Sequence, residues 1–318
     1  MSRYTKTVYH PLLVLLLVLL LVLQSWETNE MNVTSREFFL KGMDYASRAP
    51  TPNCTNFRRF KSFYGTTAGC CVYLWDRILP HIGPDGGRHF HLLWALMFLK
   101  LYDSISVLSS IVQVDEKTFS KWTWKILSAI SLYVKPRVIC IENRFKNAAG
   151  ASCLLSVDGT DCPTNQKFDS RFYSHKFKAS GVRYEVGLCI QTGHICSVVG
   201  PFPCGEWPDV NIYRHWLKHQ LREGERVEAD SGYRGDPTIR HPDDCANWAE
   251  WSMKFNVRAR HEHVNQRCKN FRILQHFRHF ISIDDMEKHK YCFDSIATIV
   301  QLNILAGETL TPVEYVEY

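Results

Sequence analysis

Apolar positions along this chain follow two different periods. Between residues 88 and 135 they recur at helical spacing. His91 to Tyr102 is apolar nearly all round, as a buried helix would be, and Ser104 to Val112 and Glu116 to Ile130 follow with only the polar break Gln113-Val114-Asp115 between them. Past residue 150 the pattern changes to short apolar runs bounded by turn residues. Cys153 to Val157, Val182 to Ile190, Ile195 to Val199 and Arg226 to Ala229 read as strands, the second and third joined into a hairpin by Gln191-Thr192-Gly193-His194. Asn211 to Leu221 carries Ile212, Tyr213, Trp216, Leu217 and Leu221 at helical spacing, and a further helix is expected to start near Arg258 with no breaker before Lys269. Strands, helix, strand, helix is the order of an α/β unit, here behind a smaller helical one.

The candidate chemistry sits at the ends of these elements. Asp158 follows the apolar run Cys153 to Val157 and precedes Gly159-Thr160-Asp161, so it reads as a carboxylate closing a strand at a tight turn. Asp230 repeats this, with Arg226 to Ala229 before it and Ser231-Gly232-Tyr233 after it. Glu262 lies in the helical stretch and is expected to point back toward the strands. Any one of these acids alone reads equally as a surface residue. All three stand beside apolar strands or basic residues, where a solvated acid has no special reason to be. A few hard oxygen ligands suit Mg²⁺ or Mn²⁺, and a pair of such ions about 4 Å apart is able to activate water and stabilise the leaving oxygen at a phosphodiester. Arg258 and Lys269 share a helical face with Glu262 and would meet phosphate there, or belong to a solvated basic helix rich in His261, His263 and Arg267. Asp161 reads as a turn cap or as a support for the ligands, and Asp209, after Trp207-Pro208, as a helix N-cap, the favoured role, or as a contact to the substrate strand.

Composition changes this picture little. With 318 residues, 45% hydrophobic, the chain is long enough for one sizeable core and a smaller module. A formal net charge of +6 suits a polyanionic partner without requiring one. The twelve cysteines include no Cys-x-x-Cys pair and give neither a zinc spacing nor a disulfide framework; Cys153, Cys189 and Cys196 sit in apolar runs as small core residues.

The segment from about residue 150 to 300 resembles the catalytic domain of DDE transposases, in particular the Harbinger-like group and its relatives among bacterial insertion elements. The resemblance rests on Ser156-Val157-Asp158-Gly159-Thr160-Asp161, on Gly200 to Asp209, on Ala229 to Gly235, and on Arg258, Glu262 and Lys269, in the family's order. A Tyr usually stands three residues before the Arg, and here that position is Phe255. The resemblance implies an RNase H-like α/β catalytic domain (a mixed sheet flanked by helices), Asp158, Asp230 and Glu262 as catalytic metal ligands, chemistry with Mg²⁺ or Mn²⁺ as two ions, and double-stranded DNA at transposon ends as substrate. A second copy of the chain and a separate DNA-binding protein are left open as further partners.

That resemblance also bears on residues 88–135. Three helices with a tight second connection make a helix-turn-helix-like module, whose last helix carries Lys117, Lys121 and Lys125 at four-residue spacing on one side. Many helical bundles look the same, but a place just upstream of a transposase-like domain favours DNA as what those lysines meet. The expected organisation is therefore a hydrophobic leader at 1–30, an N-terminal segment and linker at 31–87 with a Pro/Thr-rich stretch around Ala49 to Asn53, the helical DNA-binding module at 88–135, and the catalytic domain at 150–305. The apolar run Leu12 to Leu23 is too short to span a bilayer and is either a secretory signal or sequence upstream of a true start at Met31. The enzyme is expected to be nuclear in a eukaryote, with a secreted or membrane-tethered protein favoured only by that run. The alternative function is a host protein keeping the fold as a non-cleaving DNA- or partner-binding module. The intact acidic triad argues for the enzyme, because a module that only binds phosphate gains affinity by losing carboxylates.

Overall fold

Side-chain caps set where the first helices begin. Thr34 Oγ1 accepts from the Glu37 amide at 3.2 Å while the Glu37 carboxylate accepts from the Thr34 amide at 2.7 Å, which starts α1 (Ser35–Tyr45). Asn53 and Thr67 cap α2 (Cys54–Tyr64) and α3 (Ala68–Ile82) in the same way. The Pro/Thr-rich stretch between α1 and α2 is a fixed connection, since the buried Asn56 side chain donates to the carbonyls of Ala49 and Thr51 at 3.1 and 2.8 Å. This computed structural model describes residues 33–146, 152–166, 169–241, 245, 247–279 and 285–315. The leucine run and Met31 lie outside the described residues. Among the described residues no helix is long and apolar enough to cross a membrane.

The three helices expected between residues 88 and 135 are present as α4 (His89–Leu101), α5 (Ile105–Val112) and α6 (Glu116–Ala129), the last capped by Asp115 through the Thr118 amide at 2.8 Å. A π-helical turn over residues 130–134 leads into α7 (Lys135–Val138).

The sheet comprises β1 (Cys153–Pro163), β2 (Tyr173–Ser174), β3 (Ala179–Cys189), β4 (Ile195–Pro203), β5 (Arg226–Glu228) and β6 (Ile239–Arg240). Its order is β2-β3-β1-β5-β6 with β4 also paired to β3; β1 runs antiparallel to β3 and parallel to β5, which is parallel to β6. The helices α8 (Asp209–His215), α9 (Trp248–Lys269) and α10 (Asp285–Leu305) complete a mixed sheet flanked by helices, the RNase H-like arrangement.

Two local expectations are corrected. Asp158 does not close a strand: β1 continues through Gly159-Thr160-Asp161 to Pro163, because β3 offers partners all the way, from Asp158 opposite Val186 to Pro163 opposite Gly181. The helix expected over 211–221 begins two residues earlier and breaks at Trp216 (φ −126°, ψ −67°), continuing as a 3₁₀ turn over 217–220.

Alternation along the strands separates two faces. Leu155, Val157, Cys189 and Val227 pack beneath the sheet with Tyr213 and Leu217. On the other face Val182, Tyr184, Val186 and Leu188 join a core that also takes in Phe38, Trp75, Leu96 and Ile126 from the N-terminal helices and Phe293, Ile296 and Val300 from α10. The Tyr184 and Phe293 rings stack with centroids 3.7 Å apart and planes within 4°, and the Tyr184 hydroxyl meets His289 Nδ1 at 2.7 Å. Helical body and sheet thus share one apolar interior. Phe293→Ala should cost about 3 to 5 kcal/mol. Native-state hydrogen exchange should show amides of α4 and β3 losing protection together in the variant; loss confined to α10 and β3 would mean the two regions unfold separately.

Candidate active site

The sheet leaves an opening where β5 is shorter than β1. The last β1–β5 pair is Ser156 with Glu228, so beyond it the β5 side of β1 is open, and Asp158 stands two residues past that point. Asp230 follows β5 directly. Its Oδ1 accepts from the Gly232 amide at 2.8 Å and caps the short 3₁₀ turn over 231–233, which fixes the carboxylate beside the opening. From above, α9 lays Glu262 over the same place. A cleft of about 400 Å³ is lined by Asp158, Asp230 and Glu262 together with Lys176, Arg258 and His261. The three acids expected from the sequence are therefore neighbours in space, although among the described residues no three acidic, His or Cys side chains stand close enough to grip one ion jointly.

The position of α9 comes from polar contacts. His261 is buried, and its Nε2 meets Ser156 Oγ at 2.8 Å. Burial pushes this imidazole down to about 3, so it stays neutral and acts as a bolt between helix and strand. One turn on, Asn265 Nδ2 donates to Asp158 Oδ2 at 3.3 Å. Arg260 donates from Nε to the Thr311 carbonyl at 2.7 Å and from Nη1 to the Ile190 carbonyl, and Arg267 donates to the Glu308 carbonyl at 2.6 Å. At the N-terminal end of α9, Glu250 accepts from Arg240 Nη2 at 2.9 Å and pairs with the buried Lys254 at 3.2 Å.

Asp158 is partly buried, and its carboxyl is raised to about 7. Burial is the largest cause, followed by the neighbouring Asp230 and Asp209; Lys176 opposes the shift and Glu262 adds to it. Asp209 was expected as a helix cap, and the structure corrects this. Pro208 holds the N-cap position with no side-chain hydrogen bond, and the Asp209 carboxylate turns under the sheet instead. A Cβ on Gly159 would lie 2.1 Å from Asp209 Oδ1, and one on Gly232 would lie 3.4 Å from Asp209 Oδ2. Gly159 thus makes room for a fourth carboxylate close to Asp158 and Asp230. Burial raises it, while Arg183 Nε at 3.4 Å pulls the other way.

Asp161 is likewise no turn cap. It is buried in a bidentate pair with Arg183, at 2.7 and 3.0 Å, and accepts from Ser174 Oγ at 2.7 Å, which together hold its carboxyl below the usual range against the burial that would raise it. Glu185, opposite Gly159 in register, is 1% exposed, and burial with Asp209 nearby pushes it well above the ordinary carboxylate range. The arrangement at β1 therefore combines a paired carboxylate, a partly compensated one and one whose ionisation burial opposes.

The remaining expected residues fall in different places. Arg258 is exposed and lines the cleft. Lys269 shares its helical face but lies seven residues, about 10 Å, beyond Glu262. Lys117 and Lys121 are exposed on α6, while Lys125 ion-pairs with Asp85; Lys121 and Lys125 both stand over the Trp122 ring. Sequence reasoning missed Lys176, which sits in the four-residue turn between β2 and β3, and Asn265, whose signal was its place three residues after Glu262 on the same helix.

The donor set fits a hard divalent cation: carboxylate oxygens, with Asp158 in an environment that disfavours its anion until a positive charge arrives. Residues 157–301, which run from β1 into α10 and contain Asp158, Asp209, Asp230 and Glu262, match the DDE superfamily endonuclease family. No curated protein and no solved structure matches the chain significantly.

A pH prediction follows from Asp158. Its folded value of about 7 lies above the ordinary 3.8, so in the cation-free protein the stability tied to its protonated form is complete below the ordinary value and is lost as pH rises through 7. A cation that binds the carboxylate reverses that loss and releases a proton. The rise in Tm produced by Mg²⁺ or Mn²⁺ should therefore be small near about pH 5 and level off above about pH 7.5. A rise independent of pH would remove Asp158 from the ligand set.

Proposed function

Because residues 157–301 form a DDE superfamily endonuclease domain, we propose that the chain is a divalent-metal-dependent DNA endonuclease that cuts and transfers strands at transposon ends. The observation that carries this reading is the meeting of Asp158, Asp230 and Glu262, from a strand, a strand end and a helix, in one cleft inside the matched span.

In this reading Asp158, Asp230 and Glu262 hold Mg²⁺ or Mn²⁺, with Asp209 close behind the first two as an added negative charge. Bound there as a pair, such ions supply an activated water and charge stabilisation for the leaving oxygen. The chain's own groups orient and compensate. Asn265 fixes one oxygen of Asp158, and the neutral His261 keeps helix and strand at a set distance. Arg258 offers a planar fork and Lys176 a point charge for phosphate on the cleft wall. Asp158 gives up its proton when the cation arrives. The exposed Lys117 and Lys121 on α6 contact the phosphates of flanking duplex, as a nuclear enzyme acting on chromosomal DNA requires. A second copy of the chain, or a separate DNA-binding protein, would supply whatever target recognition these contacts lack.

Asp158→Asn keeps shape and removes the charge that binds metal. Mg²⁺-dependent nicking of a duplex should fall by roughly 10² or more, at about 1.4 kcal/mol per factor of ten, while DNA affinity without metal stays equal or rises because a repulsive carboxylate is gone. If the parent chain cuts no duplex with Mg²⁺ or Mn²⁺ and the substitution changes neither metal nor DNA binding, the non-cleaving module is the correct reading. Separately, Lys117→Ala with Lys121→Ala should lower the slope of log affinity against log salt by about 0.9 per lost phosphate contact. An unchanged slope would assign α6 to packing or to a protein partner.

A further inference from the structure

The N-terminal half of α9 presents a row of aromatic rings to solvent. Trp248 is 77% exposed, Trp251 46% and Phe255 55%, among the most exposed large apolar side chains of the described residues. At 100° per residue these three fall on the same stripe of the helix as Arg258 and Glu262, so the row leads directly into the cleft, whose wall Phe255 forms. Phe255 lies seven residues and Trp251 eleven residues before Glu262, about 10 and 16 Å along the axis. The Trp251 and Phe255 rings lie nearly parallel, with centroids 5.5 Å apart and planes within 19°. Among the described residues no element packs over them. The side of α9 that packs inward is the opposite one, with Met253, Val257, Val264 and Cys268.

We propose that Trp251 and Phe255, with Trp248 behind them, form a stacking platform for unpaired bases of the DNA strand whose phosphate lies in the cleft. This deepens the DNA-cleaving reading and rests on it. Two observations favour bases over a protein surface, to which an exposed aromatic row is equally suited. The row's exposed helical neighbours are Ala249 and Asn256. It is continuous with a cleft that carries Arg258 and Lys176, the charges a sugar-phosphate backbone needs as its bases turn aside. The row's distance from Glu262 also spans about three base steps of 3.4 Å to Phe255 and about five to Trp251, so the third to fifth bases from a scissile phosphate reach these rings if they leave the duplex. Bases in a paired stack have no free face to offer, so the platform selects frayed, flapped or single-stranded ends.

The test uses the full chain, without metal, and two probes: a blunt duplex and the same duplex with a single-stranded extension of about five nucleotides, matching the steps to Trp251, that contains 2-aminopurine. The parent protein should bind the extended duplex at least about fivefold more tightly, the lower bound for one base stacked on an aromatic ring, and quench the 2-aminopurine. In Trp251→Ala with Phe255→Ala the ratio of the two dissociation constants should fall to near one and the quenching should vanish. Trp251→Phe, which keeps a ring, should retain most of both. A ratio near one in the parent, or a ratio the double substitution leaves unaltered, overturns the platform while the blunt-duplex affinity still supports the DNA-cleaving reading. If the substitutions instead convert a dimer to a monomer in sedimentation without DNA, the row is a contact between copies and the inference fails. If the parent binds neither duplex, the reading of the whole site fails with it.

Discussion

The cost of burying carboxylates close to one another governs how this site is built. Besides Asp230 and Glu262, four acids stand around β1 beyond Ser156, and each has a different electrostatic environment. Asp161 is neutralised by the fork of Arg183, and Asp209 borrows the same guanidinium at longer range. Glu185 sits deepest, where burial pushes its carboxyl well above the ordinary range. Only Asp158, with Asp230 next to it and Lys176 as a distant counter-charge, keeps an unresolved conflict, and it is the one that faces the cleft. Burial and like-charge crowding raise the cost of its anion, so an arriving cation gains more there than at a solvated acid. Gly159 allows this density, since a side chain there would occupy the space that Asp209 fills.

The second requirement is a helix that carries an exposed acid yet lies in a fixed place. α9 is 22 residues long with charged or polar groups all round, so no apolar stripe alone seats it. Its register comes from buried polar contacts of limited geometric tolerance: His261 on Ser156, Arg260 on backbone carbonyls, and Glu250 with Arg240 and Lys254. Such contacts contribute modest net stability but penalise any slip, because a displaced partner is left buried without a hydrogen bond.

This explains which parts were legible in the sequence. Strands β1, β3 and β4 and helices α4 to α6 were readable because apolar periodicity records burial, and Asp158, Asp230 and Glu262 because short motifs mark them. The extent of β1 was not, since Gly159 looks like a turn residue and is in fact an in-strand gap filled from another element. Asp209 was misread for the same reason: after Trp207-Pro208 it has the local signature of a cap, and only the tertiary approach to Gly159 and Gly232 turns it toward the other acids. The start of α9 at Trp248 was hidden because the apolar row Trp248, Trp251 and Phe255 faces solvent while Met253 and Val257 face inward, so no single apolar face marks its first three turns, and Lys176 because its role depends on where the turn between β2 and β3 places it.

The segment from Glu308 to Tyr315 has no regular secondary structure, yet it wraps the far side of α9. Its carbonyls accept from Arg260 and Arg267, and the Tyr315 hydroxyl reaches Glu228 at the end of β5. It works as a clasp that closes over the helix bearing Glu262 and fastens to the strand that leads to Asp230. Deletion mapping or a fusion placed at this end of the chain would therefore reach the cleft from behind, and a loss of cleavage there would reflect a loosened Glu262 rather than a missing residue of the chemistry.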